Sequence, residues 1–263
     1  MSIEARIGII GGNGWLGSAI AQAAVSSGSI DPTRLTLSGR SDRRVDIPGA
    51  KWTHDNKELV ERSDVVVLSV RPDQFPGVLI DARGKLVVSV MAGISVQTIA
   101  DGTNTHEIVR SIPNAAAAIR RSFTPWFATS SVSAENKRVV HQLFEACGES
   151  AEVPLEFHVD YCAGMTGTGA AFPALLAEAL VAHAVSQGLP PDFAKRAAKG
   201  LVAGASQLFA SGDVDPADIV KEMIDYRGLT AAALQAMLDG GFNHVVASGL
   251  EAAAAKAATI IRN

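Results

Sequence analysis

Gly12-Asn13-Gly14-Trp15-Leu16-Gly17 follows the apolar run Ile7-Gly8-Ile9-Ile10 directly and opens a helical stretch through Ile20 and Ala21. That spacing suits the holding of a pyrophosphate by backbone amides at a helix N-terminus. Gly12 is expected to make the tight turn, Gly14 to let the amides approach the phosphates, and Gly17 to let helix and strand pack closely. The same spacing alone is also compatible with a glycine-rich turn that binds nothing. The strand before it and the helix after it point to a dinucleotide, with the whole segment Gly12 to Gly17 against the cofactor. Trp15 either covers the dinucleotide or packs on the sheet.

An acidic residue at the end of the second strand would hold the ribose hydroxyls of NAD. This chain has Ser38-Gly39-Arg40-Ser41 there, with Arg43 and Arg44 following. Hydroxyls and guanidinium groups pair with a 2′-phosphate, so Ser38, Arg40 and Ser41 favour NADPH over NADH.

These groups must be positioned by a sheet. Short β-branched or apolar runs alternate with helical stretches over the first 150 or so residues, the rhythm of βαβ units. Strands are expected at Arg6 to Ile10, Leu35 to Ser38, Asp64 to Val70, Leu86 to Val90, Glu107 to Ser111 and Ser122 to Ala128. After Pro154 the β-branched runs give way to alanine- and leucine-rich sequence with helical spacing. The expected architecture is α/β, with an N-terminal Rossmann-type doubly wound parallel sheet over residues 1–155 and an all-α domain over 156–263. The stretch Ala170 to Gln187 is apolar nearly all round, which predicts a helix covered by a second copy of the chain in a homodimer or higher homo-oligomer.

Composition narrows the partners. A net charge of −4 over 263 residues, without a run of like charges, gives no footprint for nucleic acid. Cys147 and Cys162 have neither metal-ligand nor disulfide-framework spacing, which fits a reducing, cytoplasmic location and no bound metal. Glu178 and His183 interrupt the most apolar stretch, so no membrane span is expected.

At this point the chain resembles the pyrroline-5-carboxylate reductase family. Asp64 to Pro72 is similar to that family's fourth strand and V-[KR]-P turn, and Asn56 stands where the family places Asn near the adenosine ribose. Ser89-Val90-Met91-Ala92-Gly93-Ile94 is similar to its S-x-x-A-G-[IV] strand end. Arg110-Ser111-Ile112-Pro113-Asn114 resembles its R-x-M-P-N segment beside the nicotinamide. The resemblance therefore implies cofactor contacts at Asn56, Val70, Arg71, Pro72, Ala92, Gly93 and Asn114. Gly164 to Phe172 resembles G-[LI]-[ST]-G-[ST]-G-P-A-[YF] with Ala170 in place of proline, which implies a substrate-side role for Thr168 and Gly169. The S-P-G-G-x-T loop is altered to Asp225-Tyr226-Arg227-Gly228-Leu229-Thr230. Gly228 and Thr230 match, and three residues do not.

The resemblance implies hydride transfer from NADPH to the C=N bond of a small cyclic imine, 1-pyrroline-5-carboxylate first among them. Thr230 is then the partner of the imine nitrogen and Gly228 a backbone contact. Asp225 is a proton donor or iminium counter-ion, and Arg227 either binds the substrate carboxylate or neutralises Asp225. Two alternatives stay open: an imine reductase of different specificity, and a dinucleotide sensor without turnover. A hydroxyacid dehydrogenase is disfavoured, because the lysine that family needs is missing between Gly164 and Gln187. Thr230 also reads as a plain helix N-cap, and Asp225 with Arg227 as a surface ion pair.

Overall fold

The computed structural model describes residues 3–41, 45–210 and 214–257, so Arg43 and Arg44 lie outside the described residues. Eight strands form one sheet: β1 (Ile7–Ile10), β2 (Leu35–Ser38), β3 (Lys51–Thr53), β4 (Val65–Leu68), β5 (Leu86–Ser89), β6 (Ile108–Ser111), β7 (Ser122–Ala128) and β8 (Gly148–Glu152). Their spatial order is 3-2-1-4-5-6-7-8. Every neighbouring pair is parallel except β6 with β7. The order runs outward in both directions from β1, which makes the sheet doubly wound and puts the ends of β1 and β4 at its switch point.

The alternation along a strand explains the layers. Val65 and Val67 of β4 enter one apolar cluster with Ile7, Ile9 and Ile20, while Val66 and Leu68 enter a second with Leu59 and Ile99. Successive side chains point to opposite faces, and both faces are covered by helices. Each fully buried Val, Leu or Ile contributes roughly 1.5–3 kcal/mol relative to exposure. Helices α1 (Trp15–Ser26), α2 (Asn56–Glu61), α3 (Val96–Thr103) and α4 (Ala134–Glu145) belong to this part of the chain.

The strands are shorter than expected at several ends, for identifiable reasons. Arg6 and Asp64 precede β1 and β4 and are paired with each other (Nη2 to Oδ1 2.6 Å). Ser69 and Val70 leave the sheet to line a cleft. β3 and β8 were not foreseen. Both are edge strands, and Lys-Trp-Thr and Gly-Glu-Ser-Ala-Glu lack the apolar run of a buried strand.

The helices that follow are α5 (Glu156–Met165), α6 (Ala171–Ser186), α7 (Pro191–Lys199), α8 (Gln207–Ala210), α9 (Pro216–Asp225), α10 (Leu229–Asp239) and α11 (Phe242–Ala257), with a π-helical stretch at Gly200–Ala205. The chain divides into two compact units, one of residues 1–169 and 251–263, the other of 170–250. Helical sequence character begins at residue 156, but α5 packs on β6 and β7 and so belongs with the sheet. In the second unit α6 buries no residue at all within a single chain, and Leu175 and Leu176 are exposed. No helix of the described residues is long and apolar enough to cross a membrane.

Candidate active site

The glycine segment forms a cradle that side chains would fill. Gly11 has φ +85°, and a Cβ there would lie 2.2 Å from the Ser69 carbonyl oxygen. The tight turn therefore belongs to Gly11 rather than to Gly12, which instead packs on Leu37, where a Cβ would come within 2.9 Å. A Cβ on Gly17 would meet the Gly11 oxygen at 2.5 Å, and one on Gly14 would meet it at 3.1 Å. Gly14 is the N-cap of α1 and provides no side-chain cap, so the amides of the first turn face outward unspent. Glycines that bring the chain this close to β4, ahead of an uncapped helix N-terminus, fit a pyrophosphate.

This cradle is one end of a cleft of about 760 Å3 whose walls include Asn13, Gly14, Trp15, Val70 and Arg71. Trp15 is 64% exposed, standing over the cleft rather than packing into the core. Gly12, Leu16, Gly17 and Pro72 are not among the cleft's walls and act behind them. Asn13 Oδ1 is buried without a partner among the described residues, an acceptor that a ribose hydroxyl would satisfy. Arg71 is held by Asp73 at 3.1 Å, which tempers its charge.

At the other end the cleft is walled by Ser38, Gly39, Arg40, Ser41, His54 and Asn56. Ser38 is buried, and its hydroxyl donates to Asn56 Oδ1 at 2.7 Å, so it orients Asn56. Asn13 Nδ2 donates to the Ser41 oxygen at 3.2 Å and lies 3.1 Å from its Oγ. Arg40 is exposed and enters no ion pair among the described residues. His54 was not anticipated, because nothing in its spacing marks it. β3, the unforeseen edge strand, delivers it.

Ala92, Gly93 and Asn114 lie outside the cleft's walls. Asn114 is buried with both ends of its amide engaged. Oδ1 accepts from the Ala116 amide at 2.9 Å, and Nδ2 donates to the Thr166 carbonyl at 2.9 Å. It ties the end of β6 to the turn after α5. Gly169 (φ +57°) packs against Asn114, where an added Cβ would lie 3.5 Å from its Cβ, and Thr168 Oγ1 donates back to the Met165 carbonyl at 3.3 Å. Gly167 leaves no room either: a Cβ would meet Ile112 at 2.7 Å.

Arg110 anchors the other end of α5. Its guanidinium is buried and reaches Glu156 Oε1 at 2.7 Å and Asp160 Oδ1 at 2.5 Å, while the same Glu156 oxygen accepts from the Val96 amide at 2.8 Å. One side chain thus joins β6, α5 and the start of α3. Its place in the motif is explained by this framework, since it does not line the cleft.

The altered loop lies in the second unit, between α9 and α10. Asp225 pairs with Lys221 one turn earlier at 3.0 Å. Arg227 occupies the left-handed region (φ 55°), unusual for a side chain of this size. Gly228 is the N-cap of α10 with no side-chain cap, and Thr230, exposed, is the second residue of the helix rather than its cap. Tyr226 and Leu229 are 82% and 94% exposed. Thr230 and Arg227 therefore flank an uncapped helix N-terminus, a place that favours an anion.

Burial fixes the chemistry of one thiol. It pushes the Cys147 thiol up to about 12, so that thiol stays protonated near neutral pH.

The chain matches the family model for pyrroline-5-carboxylate reductase dimerisation over residues 156–260 and that for NADP oxidoreductase, coenzyme F420-dependent, over residues 6–93. Pyrroline-5-carboxylate reductase 3 of Rattus norvegicus is 28% identical over 266 residues, 98% of this chain and 96% of that protein. A solved pyrroline-5-carboxylate reductase structure from Coxiella burnetii superposes with a TM-score of 0.88 at 25% identity, covering 98% of this chain and 99% of the other. The pyrroline-5-carboxylate reductase of Synechocystis sp. is 30% identical over 261 residues, 96% of each chain. With likeness running nearly end to end, the chain belongs to the pyrroline-5-carboxylate reductase family.

Proposed function

We propose that the protein reduces the C=N bond of 1-pyrroline-5-carboxylate with NADPH, giving proline. The observation that carries this reading is the pairing of a glycine cradle with a Ser38–Ser41 turn that has no carboxylate, in a chain of this family. NADPH supplies the hydride. Gly14, Asn13 and the first turn of α1 hold its pyrophosphate and ribose, Asn56, oriented by Ser38, the adenosine ribose, and Arg40 with Ser41 the 2′-phosphate. Val70 and Arg71 line its path, with Pro72 behind them. Ala92, Gly93 and Asn114 frame the nicotinamide end, Asn114 by shaping the Thr166 to Gly169 turn beside which Thr168 and Gly169 meet the substrate.

A protonated imine is already an electrophile, so the protein's work is orientation and electrostatics. Thr230 donates or accepts at the imine nitrogen and Gly228 offers its backbone. Arg227 takes the carboxylate, and Asp225, moderated by Lys221, serves as counter-ion to the iminium. Functionally we divide the chain at 155/156, where the dimerisation model begins. The bare apolar flanks of α6 support pairing of two chains as a homodimer. The unpaired Cys147 and Cys162 suit a cytoplasmic setting.

One observation favours a second reading, an NADPH-dependent imine reductase of other specificity. Asp225, Tyr226 and Arg227 replace the small residues with which the family grips a carboxylate. Turnover of 1-pyrroline-5-carboxylate beside 1-pyrroline, in wild type and Arg227→Ala, separates the two. The proline-forming reading expects KM for the carboxylated imine to rise about 10- to 100-fold in Arg227→Ala, with KM for NADPH unchanged. Turnover of the uncarboxylated imine alone selects the second reading. NADPH binding without turnover of either would leave a sensor.

A further inference from the structure

The Ser38–Ser41 turn is held from several sides, and one of its clamps is a residue with no assigned role. β3 pairs with β2 in the register Ser38 to Thr53, so the residue after β3, His54, arrives beside Gly39. His54 Nδ1 lies 2.7 Å from the Gly39 carbonyl oxygen. A carbonyl only accepts, so Nδ1 carries the hydrogen and the imidazole donates. The Trp52 ring meets the imidazole edge-on, with centroids 6.5 Å apart at 78°. Asn13 and Trp52 flank Gly39 on one side, where an added Cβ would lie 3.1 Å from Asn13 Nδ2 and 3.3 Å from the Trp52 ring. The imidazole itself lines the same cleft as Arg40 and Ser41.

We infer that His54 is a positioning residue that determines NADP over NAD specificity, by fixing the Gly39 peptide and with it the turn that presents Arg40 and Ser41 to the 2′-phosphate. The inference rests on the NADPH reading given above. Charge-assisted hydrogen bonds to a phosphate are directional, so a turn free to rotate about Gly39 loses them. A ligand without the 2′-phosphate makes none of those bonds and is indifferent to the clamp. Loss of the His54 bond should therefore fall on one class of ligand.

The test is calorimetric binding of adenosine 2′,5′-bisphosphate and of 5′-AMP to the full-length protein, in wild type, His54→Ala and His54→Gln, with thermal melts run alongside. His54 is exposed, so both variants should fold, with melts within a few degrees of wild type. Wild type should prefer the bisphosphate. His54→Ala should shrink that preference about five- to tenfold while 5′-AMP binding holds, as expected for one hydrogen bond. His54→Gln, whose amide can still donate to the Gly39 oxygen, should recover most of it. The inference is overturned if His54→Ala keeps the full preference, if it weakens both ligands equally, or if glutamine does no better than alanine. In those cases the NADPH reading survives. A wild type that does not distinguish the two ligands overturns both.

Discussion

Helices α1 and α10 both begin at a glycine without a side-chain cap, Gly14 and Gly228. The first sits among backbone atoms so close that the neighbouring glycines cannot carry a Cβ, and the second stands between an 82%-exposed Tyr226 and a 94%-exposed Leu229. Both ends can take an anion, but only the first is enclosed by its own unit. A cofactor shared by many enzymes is met by backbone, whose geometry one fold can fix. A substrate is met by a loop whose side chains can change without disturbing the core.

A methyl group added in the glycine turn ahead of each helix separates the two most clearly. Gly11→Ala forces a left-handed backbone and a contact with the Ser69 carbonyl at 2.2 Å. It should destabilise the fold by ~3 kcal/mol and weaken NADPH binding about a hundredfold. Gly228 has φ −92°, and an added Cβ meets only the exposed Tyr226 ring at 3.1 Å. Gly228→Ala should leave stability within about 0.5 kcal/mol and show only as a several-fold rise in KM for the imine. Thermal melts, NADPH titration and steady-state kinetics on both variants decide it. Equal losses of stability would erase the distinction between the two helix starts.

What was legible in the sequence divides along the same line. The buried strands announce themselves because both faces are covered, so β1, β4 and β5 read as apolar runs. The edge strands do not, since β8 is Gly-Glu-Ser-Ala-Glu and β3 only three residues long. His54 was missed with β3, because a lone histidine has no spacing to betray it. The displacement of the tight turn from Gly12 to Gly11 was invisible for a related reason. Three consecutive turn-forming residues offer several glycines, and only the approach of Ser69 selects one. The α9–α10 loop could be found by its resemblance, but its charges could not be assigned until Lys221 was seen beside Asp225.

A second variant sharpens what holds the substrate-side turn to the sheet. Arg110 is buried against Glu156 and Asp160, whose side chains are about a third exposed. Arg110→Met removes the cation and leaves two carboxylates that water can partly reach. The cost should be about 2 kcal/mol, below that of a fully buried pair. NADPH affinity should change little, because Arg110 is not a wall of the cleft. A urea titration beside a binding isotherm would test the separation, and a parallel collapse of both would put Arg110 in the cofactor site.

The smallest effect concerns acid, and it probes the first unit alone. Arg6 beside Asp64 holds that carboxyl at about 2, chiefly through the side-chain hydrogen bond. Because the folded state binds its proton less readily than the unfolded chain, this stabilisation is complete above about pH 4 and is lost as pH falls toward 2. Asp31, Glu58 and Asp81 are also held below the usual carboxylate range by hydrogen bonds, from Thr33, Thr53 and Arg83 first, and act in the same direction. Asp64→Asn should therefore flatten the acid limb of a stability–pH curve without abolishing it. Both partners at this site are about half exposed, which limits the loss near neutral pH to ~1 kcal/mol or less. Melting curves from pH 7 to pH 2 would measure it. An unchanged slope between pH 4 and 2 would mean that the starts of β1 and β4 do not depend on this pair.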